Sequence, residues 1–135
     1  MKALPLLLPL TLFLLTTASC GSDDDAPATP MITRDDYLGS FSVSENCQGA
    51  TDDYTATITA GSSGREILLN NLYNVNSVIE ATVNGTTLTI GEQQDGFRTF
   101  SGSGSISDDG ATVTVNFTIS GFATPTSCRA TFRRQ

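Results

Sequence analysis

From Tyr37 to the C-terminus, apolar and polar residues alternate with a period of two. In the stretch Ala111–Ser120, Val113, Val115, Phe117 and Ile119 fall on one side; Thr112, Thr114, Asn116 and Thr118 fall on the other. Tyr54, Ala56, Ile58 and Ala60 alternate with Thr55, Thr57 and Thr59 in the same way. This is the period of a strand with one dry and one wet face, the mark of antiparallel sheet. Threonine suits the wet face, since its branched side chain fits the pleat and its hydroxyl satisfies water. Turn residues cut the pattern at short intervals. Asn84-Gly85 is the strongest hairpin signal because both residues tolerate positive φ, and Asp95-Gly96 and Asp109-Gly110 are similar. Gly61–Gly64 and Tyr73–Asn76 mark two further turns. The pattern predicts eight strands, near 37–47, 53–60, 65–72, 77–83, 86–92, 97–106, 111–120 and 127–134, and no helix of useful length.

Connections this short make consecutive strands neighbours. Eight sequential antiparallel strands in one small domain predict an all-β, up-and-down barrel, which removes exposed edges by closing on itself. A β-sandwich built from the same strands is the alternative. Cys47 ends the first predicted strand with the parity of Phe41 and Val43, and Cys128 begins the last with the parity of Ala130 and Phe132. The two thiols meet only if the first and last strands lie side by side, which barrel closure achieves.

The chain ahead of this domain has a different character. Lys2 precedes an apolar run, Leu4–Leu15, interrupted by Pro5, Pro9 and Thr11. That run is shorter than the roughly 20 residues of a membrane-spanning helix. Small residues Thr17, Ala18 and Ser19 follow, so residues 1–19 read as a secretory signal peptide. Thr-Ala-Ser-Cys, ending at Cys20, resembles the lipobox of bacterial lipoproteins, with Thr17 where that family usually has Leu. The resemblance implies lipidation of Cys20, which becomes the new N-terminus. The following Asp23, Asp24 and Asp25 resemble the acidic export signal of Bacteroidota surface lipoproteins. That likeness implies display on the outer face of the outer membrane; a solvated acidic linker is the plainer reading. Pro27 and Pro30 then favour extended chain, so residues 20–33 read as a lipidated cysteine and tether, and 34–135 as the domain.

Charge and cysteine usage narrow the function. After loss of the signal the chain keeps six Arg and no Lys against 14 acids, a formal balance of −8. That argues against nucleic acid and against direct adhesion to anionic lipid heads, leaving the N-terminal lipid as the membrane contact. Export to an oxidising compartment makes a Cys47–Cys128 disulfide the default. Such a bond stabilises by about 4–4.5 kcal/mol in the chain-entropy model. The protein has no histidine, which removes the common Ser-His-Asp and Cys-His arrangements and the main zinc ligand. No cofactor or metal is expected.

A second resemblance covers about residues 37–134. The opening Tyr37-Leu38-Gly39, the later Cys47, the hairpin Thr82–Ile90, Ser101–Ser107 as SGSGSIS and the closing Cys128–Phe132 as CRATF are similar to small Bacteroidota lipoproteins with a lipocalin-like (calycin-like) barrel. The likeness implies the fold. It implies little about activity, since these motifs are structural punctuation.

Candidate sites are few. Gly102 and Gly104 share the dry face with Phe100 and Ile106. Glycines there leave room for a bulky neighbour such as Phe97, Phe117 or Tyr54, or for a sharp bend. The functional version is a ligand cavity bounded by Phe100, Gly102, Gly104 and Phe117. Glu66, Glu80 and Glu92 lie on or at the ends of separate strands and could form an acid/base pair, though strand-end charges are the plainer reading. Asp52-Asp53 and Asp108-Asp109 offer oxygen ligands for calcium, but turn chemistry explains them. Tyr37, Tyr73 and Phe122 are the candidate aromatic platforms for sugars in a chain without Trp. Arg129, Arg133 and Arg134, with Arg98, form the one basic cluster; cross-strand acids are expected to offset it. The expectation is therefore a lipid-anchored outer-membrane lipoprotein with a non-enzymatic binding role, toward a small apolar ligand or a surface macromolecule. The alternative is a protein-interaction module, such as a protease inhibitor or an accessory subunit of a surface complex, with an exposed apolar patch near Phe122–Pro125.

Overall fold

Alternation settles which side chains point inward, and the inward set closes on itself. The computed structural model describes residues 31–135; the signal peptide, Cys20 and Asp23–Asp25 lie outside the described residues. Eight strands, β1 (Gly39–Cys47), β2 (Ala50–Ala60), β3 (Glu66–Asn70), β4 (Val78–Asn84), β5 (Thr87–Asp95), β6 (Arg98–Ile106), β7 (Thr112–Ser120) and β8 (Thr126–Arg134), pair in chain order. β8 pairs back onto β1, from Phe41↔Arg134 to Cys47↔Cys128, so the sheet is a closed antiparallel barrel rather than a sandwich.

Each predicted strand is present, with shifted ends. β2 begins at Ala50, three residues before the sequence places it, because Gln48 and Gly49 both adopt positive φ and make a two-residue hairpin. At the Asn84-Gly85 turn Gly85 alone is left-handed. Two short 3₁₀ turns, Arg34–Tyr37 and Leu72–Asn74, occupy stretches without helical periodicity.

These turns cover the two ends of the barrel. At the end where the chain enters, here called the base, Tyr37 is fully buried and its hydroxyl donates to the Gly85 carbonyl at 2.9 Å. Burial pushes its phenol up to about 12. Arg134 reaches across the base, donating to the carbonyls of Leu38, Asp36 and Gly110, and its guanidinium lies 4.8 Å above the Phe41 ring. At the opposite, distal end Leu72 is fully buried, and Ser77 Oγ donates to its carbonyl at 2.6 Å. Between the ends the interior holds Phe41 edge-on to Phe132 (centroids 6.0 Å apart) and Phe100 stacked on Phe117 (6.4 Å). Ile58, Ile67, Leu69, Ile79, Leu88 and Ile119 fill around them. A barrel of eight strands is narrow enough for side chains to fill.

The ladder breaks in one place. β5 changes register between Ile90 and Gln93, and β4 and β5 keep three paired positions, Thr82↔Thr89 to Asn84↔Thr87. Beyond them Gln93 substitutes its side-chain amide for the missing backbone: it accepts from Glu80 N–H and donates to the Glu80 carbonyl, both at 2.8 Å.

Candidate functional site at the distal end

The base is fastened by Tyr37 and Arg134, so the surface available for function lies at the other end, where β1–β2, β3–β4, β5–β6 and β7–β8 are joined. Two features stand out there: a buried carboxylate and an exposed aromatic pair.

Glu45 occupies an inward position of β1, between Val43 and Cys47, and is 3% exposed. Its parity with Phe41 and Val43 is the signal the sequence carries for this inward position. Tyr54 on β2 donates its hydroxyl to Glu45 Oε2 at 2.6 Å and accepts the Tyr73 backbone N–H at 3.1 Å. Glu45 Oε1 lies 3.5 Å from Cys47 Sγ. That sulfur is bonded to Cys128 and carries no proton, so it donates nothing to Oε1. Desolvation raises the Glu45 pKa, and the charge of Asp52, its cross-strand partner on β1–β2, raises it further; the bonds from Tyr54 and Tyr73 act the other way. Desolvation likewise raises the Tyr54 phenol, with the adjacent carboxylate adding to it.

The segment Asn71–Asn76 closes over this network. Asn71, Tyr73, Asn74 and Asn76 all have positive φ. Asparagine tolerates that conformation through local hydrogen bonds, whereas Tyr73 is strained. Its bonded neighbours hold it: Asn74 Nδ2 donates to Asp52 Oδ2 at 3.0 Å, Asn71 Nδ2 to the Thr55 carbonyl at 2.9 Å, and Asn76 N–H to Asn71 Oδ1 at 2.8 Å. Between this segment and the β1–β2 hairpin is a notch of about 190 Å³ lined by Glu45, Cys47, Ala50, Thr51, Asp52 and Tyr73.

The aromatic pair is Phe97, in the β5–β6 turn and 61% exposed, and Phe122, in the β7–β8 loop and 46% exposed. Their rings meet edge to face at 5.6 Å. Gly121, at φ +114, makes this possible, since a side chain there would run into the Phe97 carbonyl. The Arg98 guanidinium sits 4.5 Å over the Phe97 ring, and its buried Nε has no partner among the described residues. The rim continues through Gln48, whose amide donates to the Pro125 carbonyl at 3.4 Å, to the hairpin beside the notch.

The structure distributes the sequence candidates as follows. Cys47 and Cys128 are bonded, directly opposite each other on β1 and β8. Gly102 faces Phe117 and Gly104 faces Val115; a side chain at Gly102 would meet the Asn116 carbonyl and Phe117, and one at Gly104 the Thr114 carbonyl. The neighbour over these glycines is thus β7, while Phe97 is out at the turn. Phe100 and Phe117 stack alongside. Glu66, Glu80 and Glu92 do come together, around a shallow groove on the outer wall of β3–β5. Glu66 Oε1 there accepts from Ser62 N–H and Oγ. Asp109 accepts from Ser107 Oγ at 2.6 Å and Ala111 N–H at 3.0 Å, bonds of a turn that hold its pKa down. Tyr37 is a plug and Tyr73 is half-buried. The basic cluster is offset by a cross-strand acid at one member, Arg98 opposite Asp95, and not at the others. Arg129 pairs across strands with Asn46 and Asn116, Arg133 with Ser42 and Thr112, and Arg134 belongs to the base. Among the described residues the one ion pair is Arg34–Asp35. Among the described residues the one trio of metal-type side chains, Glu45, Cys47 and Cys128, has both sulfurs in the disulfide.

Compared with known protein families and with curated proteins, the chain matches none.

Proposed function

We propose that the protein is a non-enzymatic binding module, lipid-anchored in the outer membrane through Cys20, that holds a surface protein against the distal end of its barrel. The observation that carries this reading is the Phe97–Phe122 pair. Two large aromatic side chains lie exposed and in contact at the end opposite chain entry. Aromatic residues and arginine are enriched where protein interfaces concentrate their energy, and Arg98 sits on the same rim. The rigid barrel fixes these loops, as binding loops require. The barrel interior is filled by stacked and edge-on phenylalanines with Ile and Leu around them, which favours the loops over the interior as the binding surface. A tether of residues 20–33 entering at the base leaves the distal end facing away from the membrane. An accessory subunit of a surface complex, or an inhibitor, fits this geometry.

A photoreactive amino acid placed at Phe122, in the intact lipoprotein on living cells, tests the reading. The expected result is a discrete crosslinked protein, absent when the probe is at Glu92 on the barrel wall and lost in Phe97→Ser. Equal crosslinking at both positions would overturn it. Cys20→Ser is expected to abolish incorporation of a labelled fatty acid and release the protein from the membrane fraction; retention of either would remove the anchor from the proposal.

A further inference from the structure

The disulfide closes the seam between β1 and β8, and its two sulfurs are unequally placed. Cys128 is 5% exposed, points inward with Ala130 and Phe132, and stands opposite Phe117 on β7. A groove on the outer wall beside Arg129 touches Cys128 from the side its side chain turns away from. Cys47 is half-buried and forms part of the wall of the notch, with Glu45, Asp52 and Tyr73. Cys47 Sγ is therefore the sulfur that a reagent in solvent can reach, and the notch is its approach. Two carboxylates stand along that approach. Glu45 Oε1 lies 3.5 Å from Cys47 Sγ, and Asp52, opposite Glu45 on the β1–β2 ladder, lines the same space. Tyr54 and Asn74 hold them by hydrogen bonds, which leave their charge in place, and among the described residues no cation lies within ion-pair distance of either. Disulfides are opened by thiolates, which are anions, attacking one of the two sulfurs. A thiolate at Cys47 Sγ comes beside the Glu45 carboxylate, and two like unit charges about 4 Å apart repel by about 1 kcal/mol even in bulk water.

We propose that Glu45 and Asp52 form an electrostatic guard over the disulfide, which lets cationic thiols reach Cys47 Sγ and turns anionic thiols away. In the reaction that the guard controls, the sulfur of a thiolate bonds to Cys47 Sγ and the Cys47–Cys128 bond breaks. The electron pair of that bond leaves on Cys128, which takes a proton from solvent. A second thiolate displaces Cys47 from the mixed disulfide, so two molecules of thiol are oxidised to their disulfide as the protein's bond is reduced. Cys128 leaves as a thiolate among apolar neighbours, which slows every thiol alike. The charge of the attacking thiol is thus the variable that reads the guard.

The test is the rate at which three small thiols of different charge reduce the bond: cysteamine (cationic), 2-mercaptoethanol (neutral) and 2-mercaptoethanesulfonate (anionic). The full chain, exported, oxidised and held in uncharged detergent at low ionic strength, is sampled by alkylation of the released Cys47 and Cys128 thiols and read by mass. Each rate is divided by the same thiol's rate on the urea-unfolded chain, which cancels intrinsic reactivity. Rates are expected to fall from cysteamine to 2-mercaptoethanol to 2-mercaptoethanesulfonate, with a span of about tenfold. Glu45→Gln, which keeps an oxygen for Tyr54, is expected to narrow the span to about threefold. Asp52→Asn, which leaves Glu45 in place, should narrow it likewise and covers the case in which Glu45→Gln does not fold. Asp108→Asn, which removes the same charge from the β6–β7 turn at the base, should leave the span unchanged. Three equal rates, or a span that both notch variants leave intact, would overturn the proposal. So would the reverse order, which would place the attack at Cys128 beside Arg129. A rate independent of thiol concentration would overturn it as well, since the bond would then be reached only through unfolding.

Discussion

Glu45 is a charged residue type in a place where charge is costly, and its effect on stability has a definite sign. Its folded pKa stands above the ordinary value of 4.5, chiefly through desolvation. The folded state therefore holds the proton more tightly than the unfolded one. Stability is fullest below the unfolded pKa and falls as pH rises through that value toward the raised one, at about 1.4 kcal/mol for each unit of difference. Glu45→Gln removes the titration and keeps the acceptor for Tyr54. Melting curves should show the variant matching the parent at about pH 4 and exceeding it at about pH 8; a constant offset across that range would mean that Glu45 titrates alike in the folded and unfolded chain. Arg134 is the opposite case, a charge spent on carbonyls. It satisfies Leu38, Asp36 and Gly110 while covering Phe41. Arg134→Ala should cost about 1–3 kcal/mol in urea denaturation, and Arg134→Lys should recover little of it, since one ammonium cannot span three carbonyls and the ring.

At the scale of the strand, β6 shows why glycine sits on a dry face. Gly102 and Gly104 let β7 approach until its carbonyls lie where side chains would be. Gly104→Ala must push the Thr114 carbonyl away, and overpacking of this kind costs about 1–3 kcal/mol. Loss of stability without loss of the distal crosslink is the expected pair of results; a neutral Gly104→Ala would mean that the strands separate freely. The same scale shows what the sequence made legible. Period-two alternation marks all eight strands, and the inward faces of the first two and last three, since parity needs no tertiary information. Strand ends were less legible. Gln48 is not a residue type that signals a left-handed turn, so the pattern places the start of β2 late. The Gln93 bridge could not be read either, because an amide side chain replacing backbone bonds depends on where two strands diverge. The notch was hidden for a similar reason. Glu45 has inward parity in the sequence, but the network around it exists only once Tyr54 reaches it and Asn71–Asn76 folds across.

For the molecule as a whole, closure depends on joining the two ends of the chain. β1 and β8 pair over seven positions, and the last of these is the disulfide, whose cysteines are separated by 81 positions in the chain. Pairing elements so distant in sequence requires a large loop to close, a cost met mainly by the unfolded chain. The bond lowers that cost by restricting the unfolded ensemble, for about 4.5 kcal/mol in the chain-entropy model. It also sits at the distal end, so it fastens the seam beside the notch, while Arg134 fastens the same seam at the base. A double variant, Cys47→Ser with Cys128→Ser, should therefore remain a barrel but melt about 15–30 °C lower. Hydrogen exchange should accelerate first at Glu45, Asn46 and Ala130, near the lost bond, and last near Phe41 and Phe132, where the Arg134 clamp persists. If exchange instead rises evenly along β1 and β8, the seam opens as one unit. In that case the disulfide acts on the unfolded chain alone, without local fastening of the distal end.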